Sequence, residues 1–185
     1  MRTGLLSALC CLAVMVPAVA FGAGPVISAG VGGTVGTSSS YDKMTGGDYK
    51  IGFEVGSHHF RSEWAFNQTI YSNSSNSLRL TGASYQLEFM VFETGFAPYF
   101  GLGVDMGLAS MTYRYAAQFG SYNATQSGVY IKPYVVGGIR YQFGFGLGVR
   151  IELTAGGAAT VDPNNGNSYG AVYPINANLA LSYTW

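Results

Sequence analysis

The chain has 185 residues, enough for one domain and a targeting segment. Nine basic and nine acidic residues cancel, which indicates neither a basic nucleic-acid face nor an acidic tail. Only 10% of residues are charged, and beyond Pro25 no apolar run reaches the ~20 residues of a membrane helix, so any crossing must use strands.

The first residues read as an export signal. Arg2 gives a short positive start, Leu5 to Val16 an apolar centre, and Pro17 a break. Ala18-Val19-Ala20 has the small-x-small pattern of a cleavage site, with Phe21-Gly22-Ala23 as a later alternative. Residues 1–20 are therefore assigned to a signal peptide, with cleavage as late as 23, and residues 24–185 to one mature domain. Cys10 and Cys11 both fall in the signal, so the exported domain carries no disulfide.

Eight segments then alternate apolar with polar residues, the period of a half-buried strand. Residues 25–36 set Ile27, Ala29, Val31 and Val35 against Ser28, Gly30, Gly32 and Thr34, and a polar loop covers 37–47. Residues 48–56 set Tyr49, Ile51, Phe53 and Val55 against Lys50 and Glu54. Ser57-His58-His59 reads as a tight turn into 60–71, where Phe60, Trp64, Phe66 and Ile70 oppose Arg61, Glu63, Asn67 and Thr69. After the polar loop 72–77, Ala83, Tyr85, Leu87, Phe89 and Val91 alternate with Ser84, Gln86, Glu88 and Met90. Residues 98–109 set Phe100, Leu102, Val104, Met106 and Leu108 against Gly101, Gly103, Asp105 and Gly107.

The longest expected loop spans 110–127. Residues 128–142 follow, with Val129, Ile131, Val135, Ile139 and Tyr141 opposite Lys132, Tyr134, Arg140 and Gln142. A short turn at Phe143-Gly144 leads to Phe145, Leu147, Val149, Ile151, Leu153 and Ala155, opposite Gly146, Gly148, Arg150, Glu152 and Thr154. A turn-rich loop around 162–167 precedes the last strand, 173–185, with Tyr173, Ile175, Ala177, Leu179, Leu181, Tyr183 and Trp185 on one face.

Connections are expected to alternate long and short, and ten strand charges share the polar face: Lys50, Glu54, Arg61, Glu63, Glu88, Asp105, Lys132, Arg140, Arg150 and Glu152. A soluble sandwich buries its apolar faces, whereas a membrane barrel turns them to lipid and its polar faces to the lumen. An even strand count favours the barrel, because closure pairs every backbone group. So do aromatics at strand ends: Phe60, Phe92, Phe96, Phe100, Tyr141, Phe143, Phe145, Tyr183 and Trp185 at one end, and Tyr71, Tyr113, Tyr115, Tyr122, Tyr130, Tyr169 and Tyr173 at the other. The expected fold is an all-β, eight-stranded antiparallel transmembrane β-barrel.

In this pattern, and in the terminal LSYTW, the chain resembles the small bacterial outer-membrane β-barrel family, which includes the OmpA transmembrane domain and OmpX. Members more often end in Phe, so Trp185 is a variant of that signature. The resemblance implies that Tyr183 and Trp185 form an assembly signal as well as an interfacial anchor. It further implies a cell outer membrane location in a Gram-negative bacterium and a porin-like wall with surface loops.

Eight strands leave a lumen that side chains can fill, so the ten charges are expected to form a lumen polar network. Lumen positions such as Thr154 should accept Arg better than lipid-face positions such as Ile151 and Val104. Enzymes on this scaffold carry a Ser/His/acid set. Here His58 and His59 lie in a turn beside Ser57, Ser62 and Glu63, with Glu63 pointing inward and the deacylase His-x-Ser spacing absent. No metal cluster, phosphate loop or calcium loop is present, so no cofactor is expected. Tyr113, Tyr115, Phe119 and Tyr122 are candidates for contacts with another surface.

The expected function is a non-enzymatic integral barrel with an envelope-structural or surface-interaction role. A narrow pore and a lipid A-modifying barrel enzyme are the alternatives. The partners implied are outer-membrane lipids and lipopolysaccharide, the outer-membrane assembly machinery, and a host or surface ligand at the long loops. A monomer is expected, and no nucleic acid.

Overall fold

The computed structural model describes residues 23–38, 43–57, 59–92, 95–117, 120–143, 145–162 and 168–184. The expected export segment, His58, Phe119, Gly144, the turn 163–167 and Trp185 lie outside the described residues. The strands are β1 (Ala23–Ser38), β2 (Met44–Gly56), β3 (Phe60–Ser72), β4 (Asn76–Met90), β5 (Phe96–Ala117), β6 (Gly120–Gln142), β7 (Leu147–Gly156), β8 (Ala158–Val161) and β9 (Ser168–Thr184).

Consecutive strands pair antiparallel, and β1 closes onto β9 from Val26↔Thr184 to Ser38↔Val172. β7 and β8 fill one place in the wall. On β6 they pair in a single register, Tyr134↔Gly156 and then Ile131↔Ala159. On β9 the register is also continuous, Ala155↔Ile175 and then Ala158↔Val172. The break at Gly157 falls beside Pro133 and Pro174, which have no N–H to give the ladder. Gly157 N–H still donates to the Pro133 carbonyl at 3.2 Å. The result is a closed eight-stranded antiparallel barrel, with β8 as a short continuation of β7.

The alternation in the sequence becomes an inverted molecule. Leu102, Leu108 and Ile175 are 65%, 69% and 62% exposed on the outside, whereas Glu54 and Glu63 are fully buried. An apolar skin around a charged core is the polarity of a membrane barrel. The outer aromatics Phe60, Phe92, Phe96, Phe100, Tyr141, Phe145 and Tyr183 are exposed near the short-turn end. Neighbouring rings there interlock, Phe60 edge-on to Phe89 at 5.1 Å and Tyr141 edge-on to Phe143 at 4.8 Å.

The long-loop end departs from the sequence expectation in two ways. First, residues 110–117 and 120–127 are not loop but the outer part of a β5–β6 hairpin, paired from Ser110↔Ser127 to Ala117↔Gly120. Strands also run further than expected at 37–38, 44–47 and 76–82, so the connections no longer alternate long and short. At this end the outer face turns polar while the inner face carries Met44, Leu78, Leu80 and Met111, so the ladder continues without the apolar-out, polar-in alternation that marks it elsewhere. Second, Tyr71 and Tyr130 do not join an outer girdle; both are buried inward, and Tyr113 packs against the same inner cluster. Tyr122 and Tyr173 are exposed.

Candidate functional site

The lumen is the chemically distinctive region. Acidic and basic side chains enter it from opposite walls. Glu54 and Glu63 are cross-strand neighbours on β2 and β3, and Arg140 and Arg150 are neighbours on β6 and β7. Like charges side by side are unfavourable. Closure relieves both pairs by bringing the acidic wall onto the basic wall.

Arg150 is the hub. Its Nη1 lies 2.9 Å from Glu54 Oε1, 3.0 Å from Glu63 Oε2 and 3.2 Å from Glu88 Oε1. Its Nη2 donates to Glu63 Oε1 at 3.0 Å, and Nε lies 3.7 Å from Glu152. Arg140 bridges Glu54 at 2.5 Å and Glu88 at 3.2 Å. Lys50 reaches Glu63 at 2.8 Å and Glu152 at 3.6 Å, and Arg61 lies 3.6 Å from Glu54. Four cations and four carboxylates thus balance in one network. Lys132 and Asp105 form a separate buried pair.

Neutral groups complete the shell. Gln86 donates to Glu88 at 2.8 Å and Glu152 at 3.0 Å, and accepts from Lys50 and Tyr134. Tyr99 donates to Glu152 at 2.9 Å, and Ser28 to Glu63 at 3.1 Å. The two tyrosine rings fit because glycines face them. A Cβ at Gly103 would lie inside the Tyr134 ring contact, and one at Gly138 inside that of Tyr99. Glu63, Glu88 and Glu152 bring carboxylate oxygens within 4.8 Å of one another, but Arg150 contacts all three, so cationic nitrogen already meets the charge a metal would answer.

All ten residues expected in the lumen network are inward and ion-paired. Sequence reasoning missed Asp48, a buried acid at the start of the second segment. It accepts from Thr69 at 2.5 Å and from Asn178 at 3.0 Å. Its place one period before Lys50 was the available signal. Also missed was an apolar plug at the long-loop end of the lumen, formed by Met44, Tyr71, Leu78, Leu80, Met111 and Tyr130. The polar cavity beneath it, lined by Asp48, Asp105, Lys132, Thr154 and Asn178 among others, is about 10 Å³, room for one water at most. Thr154 lines this small cavity, where an Arg side chain could be placed only by displacing its neighbours.

The turn residues considered for catalysis are apart in function. His59 Nδ1 lies 3.4 Å from the Met90 carbonyl, Ser62 donates to the Val55 carbonyl at 3.3 Å, and Glu63 is committed to the lumen. Ser57 Oγ accepts from Phe60 N–H at 3.2 Å. Of the two anchor residues, Tyr183 is exposed on the outer face and Trp185 is outside the described residues.

No protein-family model matches the sequence, and no curated protein matches it. Solved structures do share its fold. It is similar to Neisserial surface protein A over 87% of this chain and 97% of that one, with a TM-score of 0.57 at 14% identity. Ail, the attachment invasion locus protein of Yersinia pestis, aligns over 88% of this chain and 99% of its own, with a TM-score of 0.53 at 14% identity. Ail in complex with the heparin analogue sucrose octasulfate aligns over the same shares, with a TM-score of 0.51 at 15% identity. The chain has the fold of the small eight-stranded outer-membrane β-barrels of Gram-negative bacteria.

Proposed function

We propose that this chain is a non-enzymatic integral protein of the Gram-negative outer membrane, with a sealed lumen and a surface role carried by its long-loop end. The filled lumen carries the reading: a balanced ion network spans it, and an apolar plug covers it. Buried charges of this kind stay in place because each has a partner, and moving one strands another. The separate hydrogen-bond commitments of His59, Ser62 and Glu63 support a structural turn over a hydrolytic set. Exposed Tyr122 and the projecting β5–β6 hairpin favour contact with another surface, and the printed names of the fold neighbours are in keeping with that role. Lipopolysaccharide around the wall and the assembly machinery during insertion are its proposed envelope partners, and the barrel is proposed to act as a monomer.

Ion conductance in planar bilayers tests the sealed lumen. Purified protein should insert without steady single-channel openings. Reproducible openings of one size would replace this reading with a narrow pore.

A further inference from the structure

The charges buried in the lumen do not cancel. Around Arg150 four cations meet four carboxylates. Towards the long-loop end Lys132 cancels Asp105, and Asp48 is left over. Asp48 is only 5% exposed and has no cationic partner among the described residues. A buried charge without a counter-charge is costly.

The contacts of Asp48 suit an ionised carboxylate. Its Oδ1 accepts from Thr69 at 2.5 Å and its Oδ2 from Asn178 Nδ2 at 3.0 Å, so each oxygen meets a donor. Gly32 pairs with both Asp48 and Asn178 and leaves the room for this contact, since a Cβ on it would overlap Asn178 Oδ1.

Two oxygens beside Asp48 lack a donor. Asp105 gives Oδ2 to Lys132, and its Oδ1 is buried with no hydrogen-bond partner among the described residues. Asn178 gives an amide N–H to Asp48, and its Oδ1 is left in the same condition. Asp105 and Asn178 are 2% and 9% exposed, and with Asp48 they line the polar chamber of about 10 Å³ beneath the apolar plug. No donor on that lining is left over among the described residues. The lining also repeats the imbalance, with Asp48, Asp105 and Glu152 against Lys50 and Lys132.

Water would give both oxygens a donor but leave the charge. A cation answers both. The available ligands are carboxylate, amide and hydroxyl oxygens, with neither sulfur nor imidazole, which is the set hard cations take. A chamber the size of one water admits only a bare ion, and Mg²⁺, which keeps several waters, does not suit it. One excess negative charge matches one positive charge, whereas Ca²⁺ would turn the deficit into an equal excess. We infer that the chamber binds one dehydrated monovalent cation of sodium's size, held by Asp48, Asp105 Oδ1 and Asn178 Oδ1. Closed in by the plug on one side and the Arg150 network on the other, the ion is captured as the barrel closes and stays as part of its core. The site rests on the charge balance and the lining of the chamber, not on a surface role or on conduction, so the bilayer test and the one below fail separately.

The test is the melting temperature of purified protein unfolded in urea and refolded into detergent micelles. The salts are sodium, potassium, calcium and N-methylglucamine chloride at equal ionic strength. Melting followed by circular dichroism should be highest in sodium, rising by about 3–5 °C for each tenfold increase in it. Potassium should raise it less, and N-methylglucamine, too large for the chamber, not at all. Asp48→Asn removes the excess charge and keeps the side-chain shape. That variant should lose the sodium rise and melt in N-methylglucamine no lower than the unaltered protein. Equal melting of the unaltered protein in every salt overturns the proposal, and this series stands even where the variant does not fold. A sodium rise that survives Asp48→Asn also sinks it, because Asp48 would then serve only as a hydrogen-bond acceptor. A larger rise with potassium or calcium refutes the size and charge assigned to the ion. An infrared band of a protonated carboxylic acid that disappears in Asp48→Asn would put a proton, not a metal ion, in the compensating role, and rejects the site as well.

Discussion

Arg150 is held by four glutamates, Glu54, Glu63, Glu88 and Glu152, and it is the residue whose loss the lumen can least absorb. Arg150→Met keeps much of the side-chain length and removes the charge, leaving Lys50, Arg61 and Arg140 against four carboxylates. Removing one partner of a buried ion network costs about 3–5 kcal/mol, because the others stay desolvated without it. Urea unfolding of the barrel in lipid should show that loss, and adding Glu63→Gln should recover part of it. Strict additivity of the two substitutions would mean that the two residues are not coupled. Which residues face the lumen was legible in the sequence, since period two sorts every strand residue to one side. Which residue pairs with which was not. Arg150 meets Glu54 across 96 positions and Glu63 across 87, and only closure and register bring them together.

At the scale of elements, strands were legible wherever lipid meets one face and lumen the other. They became illegible where the same strand left the membrane. The β5–β6 hairpin shows the limit. Ser110 to Tyr113 still pair with β4 on one side, whereas the tip beyond Arg114 pairs only within the hairpin. Two truncations should therefore behave differently. Removing residues 115–122 and joining Arg114 to Asn123 through a two-residue turn should leave thermal stability unchanged and lessen binding of whole cells to a host-cell surface. Removing 110–127 takes away wall shared with Leu78 and Arg79, which lose their Met111 and Ser110 partners, so the melting temperature should fall. If both truncations are equally stable, the hairpin base is not part of the wall. The break at Gly157 follows the same logic. The sequence shows Pro133 and Pro174, but only the register reveals that both lie beside that one point.

For the whole molecule, the decisive property is which solvent each face meets. Composition hinted at it through few charges and many aromatics, but a soluble barrel with an apolar core shares the same alternation. The structure separates the two readings by putting both guanidiniums of Arg140 and Arg150 inside and Leu102, Leu108 and Ile151 outside. Trp64 offers a direct reading. It projects from β3 on the outer face, pairs with Tyr85 at 4.3 Å between ring centroids, and sits near mid-height of the apolar band. The chain has two tryptophans, so Trp185→Phe leaves Trp64 as the only one. In bilayers whose acyl chains carry bromine near their middle, fluorescence of that variant should be strongly quenched, while aqueous acrylamide should quench it little. A barrel of the opposite polarity would hold Trp64 in a dry interior away from lipid, and brominated chains would leave it bright. Quenching by both agents would place the indole at the membrane boundary and move the apolar band along the strands.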